Sequence, residues 1–298
     1  MSETSAAPSA TSGTRKAKRP DRPYRLARDV WALPAVAFLL IFFAAPLLRN
    51  AMASVDGDGT TFTAYFANYA RLLSDAYYAG VVLETLKVSV IVTLMCVVIG
   101  YPVAFFMVRY AGRWNTVIIF CLIAPLLTSI IMRTFGWEVL FARKGLVNVW
   151  LMNWGVIERP TDLLRKPISV YIALAHVLSP FMVLSITAVL QGADRRLEEA
   201  ARVLGAGPVR TFLNVTWPMS MEGVVTGSIL VFVLTNGSFL AMLLLGDGSV
   251  TTLALLIYQQ FNLTQDVGFA SAMGNVLLLI ALIGLFLQTK LVGTRSAK

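Results

Sequence analysis

The sequence predicts an all-α membrane protein with six transmembrane helices and a short polar helix between the fourth and the fifth. Hydrophobic residues make up 57% of the 298 residues and charged residues only 14%, which lies outside the range of soluble globular domains. Six apolar runs approach the ~20 residues that a helix needs to cross ~30 Å of hydrocarbon. The alternative that satisfies its backbone in lipid, a closed barrel, would need alternating strands of about 10 residues.

Six apolar runs define the predicted transmembrane helices one to six in chain order. They are Val30–Leu48, Val88–Val108, Trp114–Met132, Ile168–Leu190, Gly223–Gly246 and Val267–Gln288. The first run has a rival interpretation as a signal peptide, because the residues Ala51–Ala53 resemble a cleavage site. Its basic leader is long, and its apolar run exceeds the usual ~7 to 15 residues, so a membrane-spanning helix is favoured.

The two ends of the chain are predicted to be tails that flank a membrane domain of residues 30–292. Residues 1–29 are rich in Ser, Ala, Thr, Pro and basic side chains, and they have too few apolar groups to offset the entropy of ordering, so disorder is predicted. Residues 293–298 form the second tail. The net charge is +9, and the basic cluster of the first tail is typical of a cytoplasmic segment beside anionic lipid rather than of a nucleic-acid-binding face.

The distribution of Lys and Arg predicts that both termini face the cytoplasm. Sixteen of the 25 lie in the two tails and in the connections on the same side of the membrane, and cytoplasmic loops carry the excess of these residues. The connection from Arg133 to Lys166 goes against the rule, but long loops obey it least. The polar segment after the fourth helix is therefore expected in the cytoplasm.

Two connections on the opposite side are predicted to have structure of their own. Residues 134–156 contain tryptophans and other aromatic residues that suit a helix lying in the membrane interface. Thr251–Phe261 has an apolar stretch too short to span the bilayer, and an interfacial or re-entrant helix is expected there.

The stretch Leu197–Pro218, with the sequence LEEAARVLGAGPVRTFLNVTWP, interrupts the apolar pattern between the fourth and fifth runs. A helical period places small and apolar residues on one face and charged residues on the other: the first face holds Leu197, Ala200, Ala201 and Leu204, and the second holds Arg195, Glu198, Glu199 and Arg202. Asp194 is the expected N-cap, Gly205 the end, and Pro208 the first turn of another short helix.

Such an amphipathic helix can rest on the inner leaflet or dock in a groove of another protein. Its apolar face consists largely of alanines, which insert poorly into lipid, and its polar face is mixed in charge. Small residues and mixed charge suit close docking between proteins better than they suit an anionic membrane surface. The residues therefore favour a protein partner.

Five residues of this stretch match a family signature at the correct spacing. The positions Glu199, Ala200, Ala201, Gly205 and Pro218 resemble the "EAA" signature of the membrane-spanning subunits of binding-protein-dependent ABC importers, written EAA, three residues, G, nine residues, I, x, L, P. Val215 and Trp217 replace the isoleucine and the leucine of the signature. The resemblance extends from about Glu84 to Gln288, and TSIIMRTFGWEVLFARKGLVN and TTLALLIYQQF within it are similar to the spermidine and putrescine permease branch.

The resemblance implies the type I ABC importer permease fold in a multi-pass protein of the bacterial inner membrane. It implies that the segment 194–218 contains the coupling helix, and that Glu199, Ala200, Ala201, Leu204, Gly205 and Pro218 belong to the contact with a cytoplasmic ATPase. A second homologous permease subunit and an extracytoplasmic solute-binding protein are the other implied partners. The implied solute is a polyamine such as spermidine or putrescine, and opines, phosphonates and amino-acid-like solutes are the alternatives.

The sequence contains no motif for ATP hydrolysis or for the common hydrolases. GxxxxGK[ST], HExxH and GxSxG do not occur, so the chain is predicted to be a permease rather than an enzyme, with no cofactor of its own and with ATP-Mg bound by the partner ATPases. An ATP-independent channel or secondary transporter is a rival hypothesis, but it would need paired charges within the helices, which are sparse. An intramembrane enzyme would need convergent catalytic groups, which are not found.

Polar residues at membrane depth are costly, and so they are candidates for a solute path. The candidates are His176, Ser179, Asn236, Ser238 and Asn275. The alternative role for each is an interhelical hydrogen bond. Glu84 and Glu138 can help attract a cationic solute at the entrance, but a role as solvated or interfacial residues is the favoured alternative. Gly223 with Gly227 predicts a close helix-packing face.

Overall fold

A computed structural model of the chain describes residues 34, 36–55, 66–246 and 248–293, and the regular structure in these ranges is helical throughout. The predicted tails, residues 1–29 and 293–298, lie outside them except for Gly293, which is the last residue of the final helix. The helices are α1 (Val36–Val55), α2 (Ala67–Ser74), α3 (Ala76–Arg109), α4 (Asn115–Leu127), α5 (Ile130–Phe141), α6 (Leu146–Asn153), α7 (Pro167–Gly192), α8 (Arg195–Val203), α9 (Pro208–Asn236), α10 (Leu240–Leu245), α11 (Leu253–Gln259) and α12 (Val267–Gly293).

The chain divides into two units, Met1–Arg49 and Asn50–Lys298. The first contains the amino-terminal part of α1, in which Leu40–Ala44 form a π-helical turn. The second contains the end of α1 and helices α2 to α12.

Five described helices are long and apolar enough to cross a membrane, namely α1, α3, α7, α9 and α12. The predicted third span is not one straight helix. The helices on either side of Thr128–Ser129 meet at 97°, and they supply a sixth span only if the bent pair is counted as one. Pro125 lies in the last turn of α4, where it removes a backbone donor, and Thr128 and Ser129 are extended. The break therefore begins at Thr128, where the chain becomes extended, three residues after Pro125.

The predicted fifth span also differs at both ends. It begins at Pro208, so the residues that lead into it are already helical, and it ends at Asn236 rather than Gly246. Gly237–Phe239 separate it from α10, and the Ser238 hydroxyl donates to the Leu234 carbonyl (2.8 Å) at this break. The apolar run continues through the break, and for that reason hydropathy alone did not reveal it.

Helices α3, α7 and α9 pack against one another around the main hydrophobic core. Its buried side chains include Val88, Val92, Cys96, Leu178, Met182, Ile186, Leu190 and Val231. Glycines of α9 permit its close approach to α7, since a Cβ atom on Gly223 would lie 2.9 Å from the Cα of Ile186 and one on Gly227 would lie 2.7 Å from Met182 Sδ. The predicted packing face of Gly223 and Gly227 is confirmed.

A smaller cluster lies near the amino-terminal end of α3, where α2, α3, α11 and α12 meet. Its buried residues are Leu72, Val81, Leu253, Leu256, Phe269 and Met273. The first residue of α11 is held by a buried bond from Leu253 N to Thr85 Oγ1 (2.9 Å). Of the two predicted forms of Thr251–Phe261, a helix that enters the protein agrees better with this burial than one lying on the surface.

The connection predicted to lie in the interface, residues 134–156, is helical with one interruption. It comprises most of α5 and the whole of α6, separated by a turn at residues 142–145. Asn148 closes this turn, because its Nδ2 donates to the carbonyls of Ala142 and Thr161, both at 3.0 Å. Trp150 and Trp154 of this segment are exposed, as expected for interfacial residues.

Candidate functional site

The polar segment 194–218 forms a short helix, a sharp break and the start of a long helix, as predicted. The Asp194 carboxylate accepts a bond from Arg196 N (2.9 Å) and caps α8. Gly205 has φ of +85°, a backbone conformation that side chains with a Cβ atom rarely adopt, and Pro208 opens α9. The turn therefore depends on a glycine at position 205.

One face of α8 and of the turn after it is exposed. Val203 and Leu204 are each 87% exposed, and Leu197 is 53% exposed. Glu199, Ala200 and Gly205 are also exposed, whereas Ala201 is half-buried. This face, which we call the α8 face, carries five of the six residues that the resemblance assigned to ATPase contact, and the described part of this chain leaves its Leu204 almost uncovered.

Glu198 does not lie on the outer polar face where the helical period placed it beside Glu199. It is buried, and its Oε1 accepts from Arg109 Nη2 at 2.6 Å and from Thr216 Oγ1 at 2.9 Å. The side chains of Arg109 and Glu198 are only 8% and 10% exposed. The prediction for Glu198 was wrong because of tertiary packing: the side of α8 that carries Glu198 faces the end of α3 and the start of α9.

This buried cluster ties three helices together at one end of the molecule. Arg109 is the last residue of α3, Glu198 lies in α8, and Thr216 lies in the first part of α9. Arg195 adds a bond from Nη2 to the carbonyl of Val108. These bonds fix the buried side of α8, at Arg195 and Glu198, to two membrane-spanning helices, and we call this side the root of α8. The α8 face is exposed.

Aromatic packing supports the start of α9 behind this cluster. Trp217, which departs from the family signature, lies 4.9 Å from the Tyr101 ring and 6.4 Å from the Phe212 ring. The Tyr101 hydroxyl shares a hydrogen bond with Ser220 Oγ (2.9 Å). Pro218 is exposed within α9, just after a π-helical turn at Phe212–Thr216, so it contributes to the shape of α9 rather than to the α8 face.

His176 and Ser179 of α7 lie next to α5. His176 Nδ1 accepts from Trp137 Nε1 at 3.4 Å, and the two rings meet edge to face at 5.4 Å. Ser179 Oγ donates to the His176 carbonyl (3.1 Å), a bond within its own helix. Neither side chain is buried, and of the two only His176 is shown in contact with Trp137.

A cavity of about 550 Å³ lies where α5, α7, α9 and α10 meet, and we call it the α5–α9 cavity. Trp137, Ser238, Phe239 and Thr134 are among its lining residues. Asn236, the last residue of α9 before the break, is 2% exposed. Its Nδ2 donates to the Phe232 carbonyl (2.8 Å), and its Oδ1 is buried with no partner among the described residues. Three predicted path residues, His176, Ser238 and Asn236, are thus near or against this cavity.

Asn275 makes a different set of contacts. Its Oδ1 accepts from Asn50 Nδ2 (2.8 Å), and its Nδ2 donates to Ser54 Oγ (3.0 Å) and to the Tyr69 hydroxyl (2.9 Å). All of its polar atoms are engaged between helices, and it does not line the α5–α9 cavity. These contacts agree with the alternative role, interhelical hydrogen bonding.

Two ionisable residues beside Trp137 also have unpartnered polar atoms, which sequence reasoning did not anticipate. Glu138 Oε2 and the Nε and Nη1 atoms of Arg133 are buried without hydrogen-bond partners among the described residues. Glu84, the other candidate for attracting a cation, pairs with Lys87 at 3.1 Å. The α-helical spacing of residues 133, 134, 137 and 138 was the available signal, because it places them on one side of α5.

Comparisons with known proteins agree with this architecture. The family described as "Binding-protein-dependent transport system inner membrane component" matches residues 10–294. The spermidine/putrescine transport system permease protein PotB of Haemophilus influenzae is 33% identical over 252 residues, covering 83% of this chain and 88% of that protein. PotB of Salmonella typhimurium is 34% identical over 257 residues, with 85% and 89% covered.

A solved structure resembles the chain in fold. It is the bacterial alginate ABC transporter in complex with an alginate pentasaccharide-bound periplasmic protein, and the matching chain has a TM-score of 0.70 at 18% identity, with 90% of this chain and 94% of that chain covered. At this identity the likeness concerns the arrangement of helices alone.

Proposed function

Because this chain belongs to the family of binding-protein-dependent transport system inner membrane components, we propose that it is the permease subunit through which an ATP-driven importer takes up a polyamine such as spermidine or putrescine. Two relatives that cover most of the chain at 33% and 34% identity carry spermidine and putrescine in their names, which supports this solute. Other small organic solutes are the alternative.

The α8 segment is the observation that carries the proposal. A permease that converts ATP hydrolysis on another subunit into movement of its own helices needs two features. One is a surface on which the ATPase docks, and the other is a rigid connection from that surface to the membrane-spanning helices. The α8 face supplies exposed Leu204 and Glu199, and the Arg109–Glu198–Thr216 cluster supplies the connection. In the proposed mechanism, ATPase closure moves α8, and the cluster passes this movement to α3 and α9, which alternate between outward and inward access.

The proposed assembly contains two cytoplasmic ATPase subunits, a second homologous permease and an extracytoplasmic binding protein, with ATP-Mg bound by the ATPases. Both termini and the α8 face then lie in the cytoplasm, in agreement with the excess of Lys and Arg on that side. The α5–α9 cavity would open toward the binding protein in the outward state.

The α5–α9 cavity is the proposed polyamine path. Its lining includes Trp137 and Phe239, aromatic residues of the kind that attract an ammonium group. Next to lining residues in the sequence are Asn236 and Glu138, whose Oδ1 and Oε2 atoms are buried without hydrogen-bond partners among the described residues. His176, Ser179 and Ser238 add accessible polar groups. A buried acceptor is costly unless a donor satisfies it, and a polyamine brings such donors.

Purification of the full complex in gentle detergent tests the assembly. We expect an ATPase and a second permease to co-elute, and a polyamine-loaded binding protein to stimulate ATP hydrolysis. Solute uptake by this chain alone in liposomes, with no ATPase present, would instead establish the channel or secondary-transporter hypothesis.

The solute and its path are tested by uptake of labelled putrescine and spermidine. Glu138→Gln is expected to raise the KM for uptake, because it removes an acceptor charge, whereas Glu158→Gln, at an exposed residue between α6 and α7, is the matched control. Uptake of a phosphonate or an opine in place of either polyamine would contradict the polyamine assignment without affecting the permease assignment.

A further inference from the structure

A polar cavity of about 330 Å³ lies where the ends of α3 and α7 meet the starts of α4 and α8. Arg109, Arg195, Asn115 and Gly112 line it, together with residues at the end of α7. The cavity is separate from the α5–α9 cavity, and we call it the root cavity. No acidic side chain is among its lining residues in the described part of the chain.

Arg109 has more donors than its known partners use. Its Nη2 is occupied by Glu198, but Nε and Nη1 are buried with no partner among the described residues, although the side chain is only 8% exposed. Asn115 Oδ1 is also buried without a partner. Buried N–H groups are almost always satisfied, so this cavity has the donors of an anion site and an additional acceptor beside them.

Charge in the root cavity also favours an anion. Glu198 offsets the charge of Arg109, and Arg195 adds an uncompensated guanidinium. Arg195 satisfies the Val108 carbonyl with Nη2, and a guanidinium has five N–H donors in all, so others are available to a ligand. Guanidinium groups bind phosphate through paired, charge-assisted hydrogen bonds.

The level of the root cavity in the membrane identifies the source of the phosphate. The hairpin between α3 and α4 lies directly beside it and exposes Tyr110 (68%) and Trp114 (60%), while Phe106 is 52% exposed one turn earlier. Exposed tyrosine and tryptophan at the end of a transmembrane helix mark the headgroup layer. Basic pockets between transmembrane helices at this level bind anionic lipid headgroups.

We infer that the root cavity binds the headgroup of an anionic phospholipid, with the phosphate on Arg109 and Arg195. A hydroxyl-bearing headgroup such as that of phosphatidylglycerol also gives Asn115 Oδ1 a donor. The lipid would then be held against the same arginine that anchors Glu198, so that it would stiffen the root of α8.

Binding is measured by placing the purified full complex in nanodiscs of phosphatidylcholine, with or without phosphatidylglycerol, and recording the thermal unfolding midpoint and the lipids retained in native mass spectrometry. We expect phosphatidylglycerol to be retained and to raise the midpoint. Arg195→Gln removes a charge-assisted contact with the phosphate, and Asn115→Asp places a carboxylate close to the phosphate, so each should weaken retention at least about tenfold.

Arg113→Gln is the matched control, because this exposed arginine lies in the same hairpin but does not line the root cavity. An equal loss in Arg113→Gln and Arg195→Gln would show general attraction of basic residues to the bilayer and would overturn the site. Protection by inorganic phosphate in phosphatidylcholine nanodiscs, with no effect of phosphatidylglycerol, would overturn the lipid assignment. Equal midpoints in both kinds of nanodisc would do the same.

Discussion

Two arginine–carboxylate pairs lie near opposite ends of α3, and they differ in nearly every physical respect. Arg109 and Glu198 are 2.6 Å apart, and their side chains are 8% and 10% exposed. Arg71 and Asp266 are 3.2 Å apart, with side chains 50% and 39% exposed. The first pair is largely desolvated, so its contribution to stability depends on its hydrogen-bond geometry, whereas both partners of the second pair are solvated. Removal of a single charge is therefore expected to lower the stability more at the α8 end of α3 than at its other end.

The largest effect is expected from Glu198→Gln, which leaves the Arg109 guanidinium buried without its counter-charge. We expect a loss of about 3–5 kcal/mol in the free energy of unfolding, the usual consequence of breaking a buried pair. Thermal unfolding of the purified complex measures it. The double variant Arg109→Met/Glu198→Leu removes both charges and should recover most of the stability; a double variant as unstable as the single one would show that an uncompensated charge is not the cause.

Gly205→Asp is expected to abolish coupling while membrane insertion is retained. At φ of +85° a residue with a Cβ atom costs about 1–2 kcal/mol, and the shift in the turn would misplace the α8 face, so ATP-driven uptake should fall roughly tenfold or more. Gly207→Ala is the matched control, because Gly207 has an ordinary φ of −65° and open space around it, as Gly205 has. Full ATP-driven uptake by Gly205→Asp would contradict the coupling role.

Leu204→Ala tests docking without disturbing the fold. Leu204 is 87% exposed in this chain, so its truncation should leave the unfolding midpoint unchanged. If a partner covers it, the lost apolar contact is worth about 1–2 kcal/mol, and retention of the ATPase on the permease should weaken roughly tenfold. Leu263→Ala, at a residue 72% exposed near the other ion pair, is the control and should leave retention unchanged.

The smallest effect is expected from Asp266→Asn at the exposed pair. The asparagine can still accept the bond from Phe269 N (3.1 Å) that caps α12, so that only the charge is removed. We expect a loss of at most ~1 kcal/mol that disappears at high salt. A loss as large as that of Glu198→Gln, measured in the same unfolding experiment, would show that exposure does not distinguish the two ends.

The local features of the segment 194–218 could be predicted from the sequence because local chemistry determines them. Asp194 caps, Gly205 turns and Pro208 starts a helix for reasons contained within a few residues. The burial of Glu198 could not be predicted, because its partner is 89 residues away and both glutamates of the pair 198–199 suit a polar face equally. The helical period shows which residues share a face of α8, but it does not show which residues of other helices cover that face.

The membrane spans show the same division between local and tertiary causes. Apolar composition predicted that residues 114–132 and 223–246 are largely helical, but hydropathy does not change where each run breaks. Of the solute-path candidates, Asn275 proved to be fully bonded between helices and Asn236 to have an unpartnered acceptor, although both looked alike as single polar residues in apolar runs.

The length of α3 has a consequence for the whole transporter. Its 34 residues measure about 51 Å, and even at a tilt of ~40° it would extend through about 39 Å, more than the ~30 Å of hydrocarbon. A helix of this length therefore extends from the hydrocarbon into the headgroup layer and the water. Pro102 lies inside this helix and removes one backbone hydrogen bond, so it is the point along α3 at which a displacement of Arg109 can be absorbed before it reaches the Thr85–Leu253 contact.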